Sequence, residues 1–257
     1  MTISVKKCIV PRNLLIYLQA QNRPLYMDME KIRINKFIAE AGICSRREAD
    51  RLLEAGKVQV NGIKATLGDR VSLEDEVTVN GQAISQNAEK LYIAFHKPYG
   101  VITTTDKNSD NTVMDYIDIP SRIYPVGRLD VQSSGLLLLT NDGDIVNKIL
   151  KSKHKLEKEY LVTLDKPIQQ EDLQHLREGV RLEERKTLPA TVKKITDCEI
   201  DMIIVQGMNR QIRRMCETLG YEVKKLERIR IGKIQLDAIP SGKWRYLTKQ
   251  EVETLAS

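Results

Sequence analysis

Apolar residues recur along this chain with two periods. Ile34, Phe37, Ile38 and Ala41 fall at i, i+3, i+4 and i+7, which is one face of a helix that Gly42 stops. Ser45 and Glu48 form the pattern of a capping box for a second helix, Arg46 to Ala55, with Ala49, Leu52 and Leu53 inward and Gly56 as its end. The period then drops to two. Val58-Gln59-Val60-Asn61-Gly62 and Val77-Thr78-Val79-Asn80-Gly81 each predict a strand entering a tight turn, because Asn-Gly accepts the positive φ that two-residue hairpins need. Two short helices followed by hairpins make a small module over residues 29–84, and polar residues 85–90 read as a linker.

A second domain, residues 91–257, begins with a strand from Tyr92 that runs into His96-Lys97-Pro98-Tyr99-Gly100. Tyr124–Val126 is a short apolar run ended by Gly127. Leu136–Leu139 is continuous rather than alternating, as in a buried strand, and ends at the turn signal Asn141-Asp142-Gly143. Residues 144–151 suit a short helix with Ile145, Ile149 and Leu150 inward, and residues 157–163 alternate as a strand. A helix over 169–179 carries Leu173 and Leu176 and stops at Gly179; strands follow near 190–195 and 199–205. Ile212, Met215 and Leu219 mark another helix stopped by Gly220. Ile229 and Ile231 share one parity and Ile234 and Leu236 the other, which predicts a β-bulge at Gly232-Lys233.

A chain of 257 residues has room for two ordinary domains. Its net charge of +6 says little about nucleic acid, since four of those charges (Lys6, Lys7, Arg12, Arg23) sit in the acid-free residues 1–26 and only two remain for the rest. Residues 1–28 read as a disordered extension or an over-called start, with Met27 or Met29 a better beginning. Pro11-Arg12-Asn13 breaks the only signal-like stretch, so a cytoplasmic location is expected. Cys8, Cys44, Cys198 and Cys216 are scattered, and His96, His154 and His175 lack ligand spacing, so neither disulfides nor a metal site is indicated. No apolar run is long enough to cross a bilayer.

The stretch most suited to chemistry is Gly127-Arg128-Leu129-Asp130. It lies on a Gly- and Ser-rich loop between two apolar strands, a rigid mount for one reactive side chain. Taken alone, Asp130 reads equally well as a loop aspartate bonding nearby backbone N–H groups. Arg210, Arg213 and Arg214, at i, i+3 and i+4, put three guanidinium groups on one side without an acid, a local anion site. Arg47 and Arg51 share a helix face beside Arg46, but Glu48, Asp50 and Glu54 nearly neutralise them, so a solvated face and a phosphate-binding face both stay open.

Three strings carry a resemblance. Gly127–Asp130 followed by Ser133-Ser134-Gly135-Leu136, the strand Glu157–Thr163, and the run from Gln206 to Ile231 resemble the three active-site motifs of the pseudouridine synthases. The branch is the one that includes ribosomal small-subunit synthase A and large-subunit synthases B, E and F, and the last string is most similar to the F type. Cys44–Gly62 is similar to the S4 RNA-binding domain. The resemblance implies an α+β protein, with a small S4-like domain beside a larger domain of mixed, mostly antiparallel sheet and flanking helices. It implies that Asp130 is the essential carboxylate, that Tyr160 stacks on the target base, and that Arg213 pairs with Asp130. Leu226 would pack beside the base and Arg128 would hold the opened RNA. Arg210 and Arg214 would bind substrate, Arg46, Arg47 and Arg51 would meet RNA phosphates, and Lys97 would be structural or touch RNA. The implied reaction is the isomerisation of one uridine in ribosomal RNA, 23S in this branch, by a monomer needing no cofactor and no metal. Two other readings compete with it: an inactive RNA-binding assembly factor, and a glycosidase-like hydrolase pairing Asp130 with Asp142 or Asp144.

Overall fold

The Asn-Gly pairs fold as their composition dictates. In the computed structural model Asn61 and Gly62 have φ of 50° and 79°, and Asn80 and Gly81 have φ of 51° and 78°, so each pair closes a two-residue hairpin. The structure describes residues 31–85, 89–106, 108–151 and 156–256; the expected extension 1–28 and positions 86–88 of the expected linker lie outside them. A smaller unit ends at Gln86 and a larger one begins at Asn87.

In the smaller unit, β1 (Ile32–Arg33) leads into α1 (Ile34–Glu40) and α2 (Arg46–Glu54). The Ser45 hydroxyl accepts from Glu48 N at 3.1 Å, while the Glu48 carboxylate turns to Arg51, so half of the capping box forms. Ile34, Phe37, Ile38, Ala49 and Leu53 are buried, as their spacing requires. Strands β2 (Val58–Val60), β3 (Ile63–Lys64), β5 (Val77–Val79) and β6 (Gln82–Ile84) form an antiparallel sheet in the order β3-β2-β5-β6, and β4 (Arg70–Val71) pairs with β1.

The larger unit is built on one sheet. Its strands are β7 (Tyr92–Lys97), β8 (Tyr124–Pro125), β9 (Ser134–Thr140), β10 (Lys158–Leu164), β11 (Thr191–Lys194), β12 (Glu199–Ile204), β13 (Val223–Ile231), β14 (Ile234–Gln235) and β15 (Trp244–Tyr246). The main order is β11-β12-β10-β13-β9-β7-β15, with β14 beside β13 and β8 beside β9. Every pairing is antiparallel except β13 with β9. Helices α3 (Gly143–Lys151), α4 (Gln170–Glu178), α5 (Gln211–Thr218) and α6 (Lys249–Ala256) flank it. Leu136–Leu139 is apolar without alternation because both faces of β9 are covered. Leu137 and Leu139 pack with Ile93, Phe95 and Val113, while Leu136 and Leu138 pack with Ala94, Ile145 and Ile234. The side chain of Leu150, expected inward, lies outside the described residues.

One expectation is corrected. Gly232-Lys233 is no bulge but the two-residue turn joining β13 to β14, with Ile231 opposite Ile234. The irregularity sits earlier: Glu159 pairs with Arg230 and Tyr160 with Arg228, which leaves Ile229 as the extra residue against β10. Parity counting detected the displaced residue and misplaced it, because a tight turn also shifts parity.

Candidate active site

The parallel contact between β9 and β13 decides where the site forms. Gly135 lies opposite Arg228 with φ of 106°, and a Cβ there would stand 2.2 Å from the Arg228 carbonyl oxygen. Glycine is the only residue that lets the two backbones approach so closely. The loop entering β9 is thereby brought over β13 and β10. A cavity of about 460 Å³ opens there, lined by Arg128, Asp130, Ser133, Tyr160, Arg210, Leu226 and Arg228 among others.

The loop carrying Asp130 is pinned at several points. Thr103 Oγ1 donates to Leu129 O at 2.6 Å, Gly100 N donates to Val131 O at 2.8 Å, and Ser133 N donates to Asp130 O at 3.0 Å. Arg213 Nη2 donates to Gln132 O, and Arg210 Nη1 donates to Gln132 Oε1 at 3.1 Å. Asp130 is half-buried, and Arg128 is exposed at the same cavity. Leu129, between them, is buried in the core next to Tyr160 and Leu226. Two polar side chains therefore point from a segment whose middle residue is an anchor.

Tyr160 and Leu226 come together because their strands are neighbours. On β13, Leu226 and Arg228 are two apart and share a face, and Arg228 is the register partner of Tyr160. Tyr160 is 7% exposed, and its hydroxyl lies 3.5 Å from Arg228 Nη1. The surface-facing hydroxyl usual for a strand tyrosine is not what forms.

Two expectations about the arginines are corrected. Arg213 makes no ion pair with Asp130 among the described residues. It is buried, and it spends Nη1 on Val223 O at 2.7 Å and Nη2 on Gln132 O. Burial and the charge of Arg210 pull its pKa down while Asp130 pulls it up, so carboxylate and guanidinium interact through space, without contact. Nor do the three arginines make one anion site. Arg210 precedes α5 in a left-handed conformation (φ 47°), Arg213 points into the structure, and Arg214 pairs with Glu184 at 2.6 Å and does not line the cavity. Helical spacing assumed a helix through Arg210, and α5 begins one residue later. In the smaller unit Arg46 and Arg47 are exposed on the first turn of α2, and Arg51 is held by Glu48 at 2.8 Å.

Asp142 is excluded as a second catalytic carboxylate. It accepts from Tyr92 Oη at 2.7 Å, from Lys90 Nζ at 3.0 Å and from Asp144 N at 3.1 Å, which makes it a cap for α3. Neither Asp142 nor Asp144 lines the cavity.

Two residues behind the site were not marked as part of it by sequence reasoning. Arg228 is 3% exposed and lines the cavity floor; an arginine in an alternating strand carries no signal of burial. Lys97 is fully buried, donating to Pro98 O and Val101 O at 2.8 Å each, so it shapes the turn after β7 and cannot touch RNA. Burial lowers the Lys97 pKa from 10.5 to about 8, against the opposing pull of Asp130 and with Arg228 adding to the fall. Folded Lys97 thus gives up its proton near pH 8 while the unfolded chain keeps it to about 10.5, and in that window the unfolded state binds more protons. The stability of the wild type relative to Lys97→Met should therefore rise between those two pH values and stay level below pH 7. Urea unfolding of both proteins across that range measures it; a level difference throughout would contradict a depressed Lys97.

A mixed sheet bearing a loop aspartate, with a tyrosine and a leucine on its two central strands, is the pseudouridine synthase fold. Residues 91–218 match the family described as RNA pseudouridylate synthase, and residues 32–77 match the S4 domain. The dual-specificity RNA pseudouridine synthase RluF of Escherichia coli K12 is 50% identical over 223 residues, covering 86% of this chain and 77% of that protein. Ribosomal large subunit pseudouridine synthase B of Bacillus subtilis is 42% identical over 232 residues, covering 87% and 95%. A crystal structure of a pseudouridylate synthase superposes with a TM-score of 0.65 at 34% identity, covering 87% of this chain and 99% of that one. The chain belongs to the RNA pseudouridylate synthase family and carries an S4 domain before the synthase domain.

Proposed function

We propose that this enzyme isomerises a specific uridine of ribosomal RNA, in the 23S molecule, acting as a cytoplasmic monomer. Residues 29–84 bind RNA, residues 85–90 are the linker and residues 91–257 carry the chemistry. The observation that carries the proposal is the meeting of Asp130, Tyr160 and Leu226 in one cavity over the middle of the sheet. The reaction breaks the C1′–N1 bond and joins C1′ to C5, with no net exchange of electrons or groups, so a carboxylate and a shaped pocket supply what it needs. Asp130 acts as nucleophile or as the base that starts glycal formation. Tyr160 stacks on the uracil and assists removal of the C5 proton. Leu226 packs against the base, which must leave its stack to enter, and Arg128 at the mouth holds the opened RNA. Arg213 fixes the Asp130 loop, Arg210 meets RNA at the cavity edge, and Arg46, Arg47 and Arg51 take phosphates.

The C5 hydrogen is lost in the reaction, so RNA tritiated at C5 of uridine reports turnover directly. Purified enzyme is expected to release tritium from 23S ribosomal RNA prepared from cells lacking the gene. Release from 16S RNA or transfer RNA alone would overturn the choice of substrate. Release from none of the three would overturn the reaction.

A further inference from the structure

The cavity contains a cation that the roles above leave unused. Arg228 is 3% exposed, with Nε donating to Leu136 O at 2.7 Å and Nη1 lying 3.5 Å from the Tyr160 hydroxyl. Its guanidinium carbon stands 6.0 Å from the centre of the Tyr160 ring. Its remaining nitrogen, Nη2, is buried without an acceptor among the described residues, and so is the hydroxyl of Ser133, which lines the same cavity. Guanidinium is charged at every relevant pH and can only donate. A buried donor of that kind left unpaired is costly, and native proteins rarely keep one without a purpose. The group that completes this site must therefore bring an acceptor oxygen.

Resting on the reading of the cavity as the uridine site, we propose that Arg228 is a uracil-binding residue. Its Nη2–H donates to a carbonyl oxygen of the flipped base while Tyr160 covers the ring. The same contact serves the chemistry. When the C1′–N1 bond breaks, its electron pair passes into the uracil and spreads over N1 and the two carbonyl oxygens. C5 then uses that pair to form the C5–C1′ bond, and the C5 proton leaves last, with N1 protonated in exchange. A fixed guanidinium at a carbonyl oxygen meets the negative charge where it accumulates, without reorganisation. The β13 backbone cannot drift from this position, because Gly135 packs directly against the Arg228 peptide.

Replacing a poorly paired buried charge by an apolar side chain of similar length is expected to leave stability unchanged or raised. Arg228→Met should therefore fold with an undiminished melting temperature, and its single-turnover rate should fall about 10²- to 10³-fold, the usual loss for one donor at a developing anion. Arg228→Lys, which keeps the charge and loses the fork, serves as the second variant and should fall less. Affinity supplies the readout that a structural role would not move. In an Asp130→Asn background, which stops turnover, RNA with the target uridine should bind tenfold or more tighter than RNA with an abasic nucleotide there. That preference should largely vanish with Arg228→Met, while binding of the abasic RNA stays the same. If the uridine preference persists undiminished in both Arg228 variants, the assignment is wrong and the uridine site stands. If the parent itself shows no preference, the cavity is not the uridine site and both readings fall.

Discussion

Asp130→Asn is expected to give a folded protein that binds RNA and makes no pseudouridine. The side chain is half-buried and holds no hydrogen bond among the described residues, whereas its backbone oxygen helps close the loop. Exchanging carboxylate for carboxamide leaves the loop pinned through Thr103, Gly100 and Arg213, none of which touches the carboxylate. The melting temperature should therefore move by about 2 °C or less, a change of a few tenths of a kcal/mol. The chemistry has no substitute, since an amide is neither a base nor a useful nucleophile near neutral pH. Loss of a residue of this kind costs on the order of 10⁴-fold or more in turnover. Tritium release and RNA affinity, measured on one preparation, separate the two effects. Activity within tenfold of the wild type would remove Asp130 from the reaction.

Arg213→Ala should act on the same centre by a different route. One buried guanidinium ties the loop after Asp130, at Gln132 O, to the start of β13, at Val223 O. Removing it strands two carbonyls and lets the loop drift, costing about 1–3 kcal/mol for each one left buried without a donor. A displacement of about 1 Å at a reacting group lowers rate by roughly 10²-fold, so turnover should fall further than the folded fraction does. Arg213→Lys keeps the charge but reaches one carbonyl, and should lie between. Because Arg213 does not touch the Asp130 carboxylate, Asp130→Asn and Arg213→Ala should be nearly additive in stability, within about 0.5 kcal/mol. A coupling of several kcal/mol in thermal or urea unfolding would instead show a direct pair.

Most of the architecture was legible because local rules and burial agree. Asn61-Gly62 and Asn80-Gly81 became hairpins, Ser45 became a cap, and the uninterrupted Leu136–Leu139 became the strand covered on both faces. What was not legible depends on contacts far apart in sequence. The two-residue strands β1 and β4 exist only through each other, 38 positions apart in register, and have no period of their own. Strand β15 and α6 carry few buried residues, Leu255 among them, so no apolar stripe announced them. In the site, the motif strings located Asp130, Tyr160 and Leu226 at one cavity, but they could not say which arginine faces it. Arg213 and Arg228 look alike in sequence, and only the ladder between β10 and β13 sets Arg228 beside Tyr160 while Arg213 is spent on carbonyls. The same limit explains why Asp142, a plausible second carboxylate by spacing, is a helix cap.

The central claim is that this cavity converts one uridine of ribosomal RNA, with Asp130 as the reacting group. Pseudouridine mapping at nucleotide resolution in cells lacking the gene tests it most directly, with the gene restored as wild type or as Asp130→Asn. The predicted result is the loss of pseudouridine at a defined position in 23S RNA, its return with the wild-type gene, and no return with Asp130→Asn produced at the same level. An unchanged ribosomal RNA map in cells lacking the gene, or full restoration by Asp130→Asn, would contradict the account.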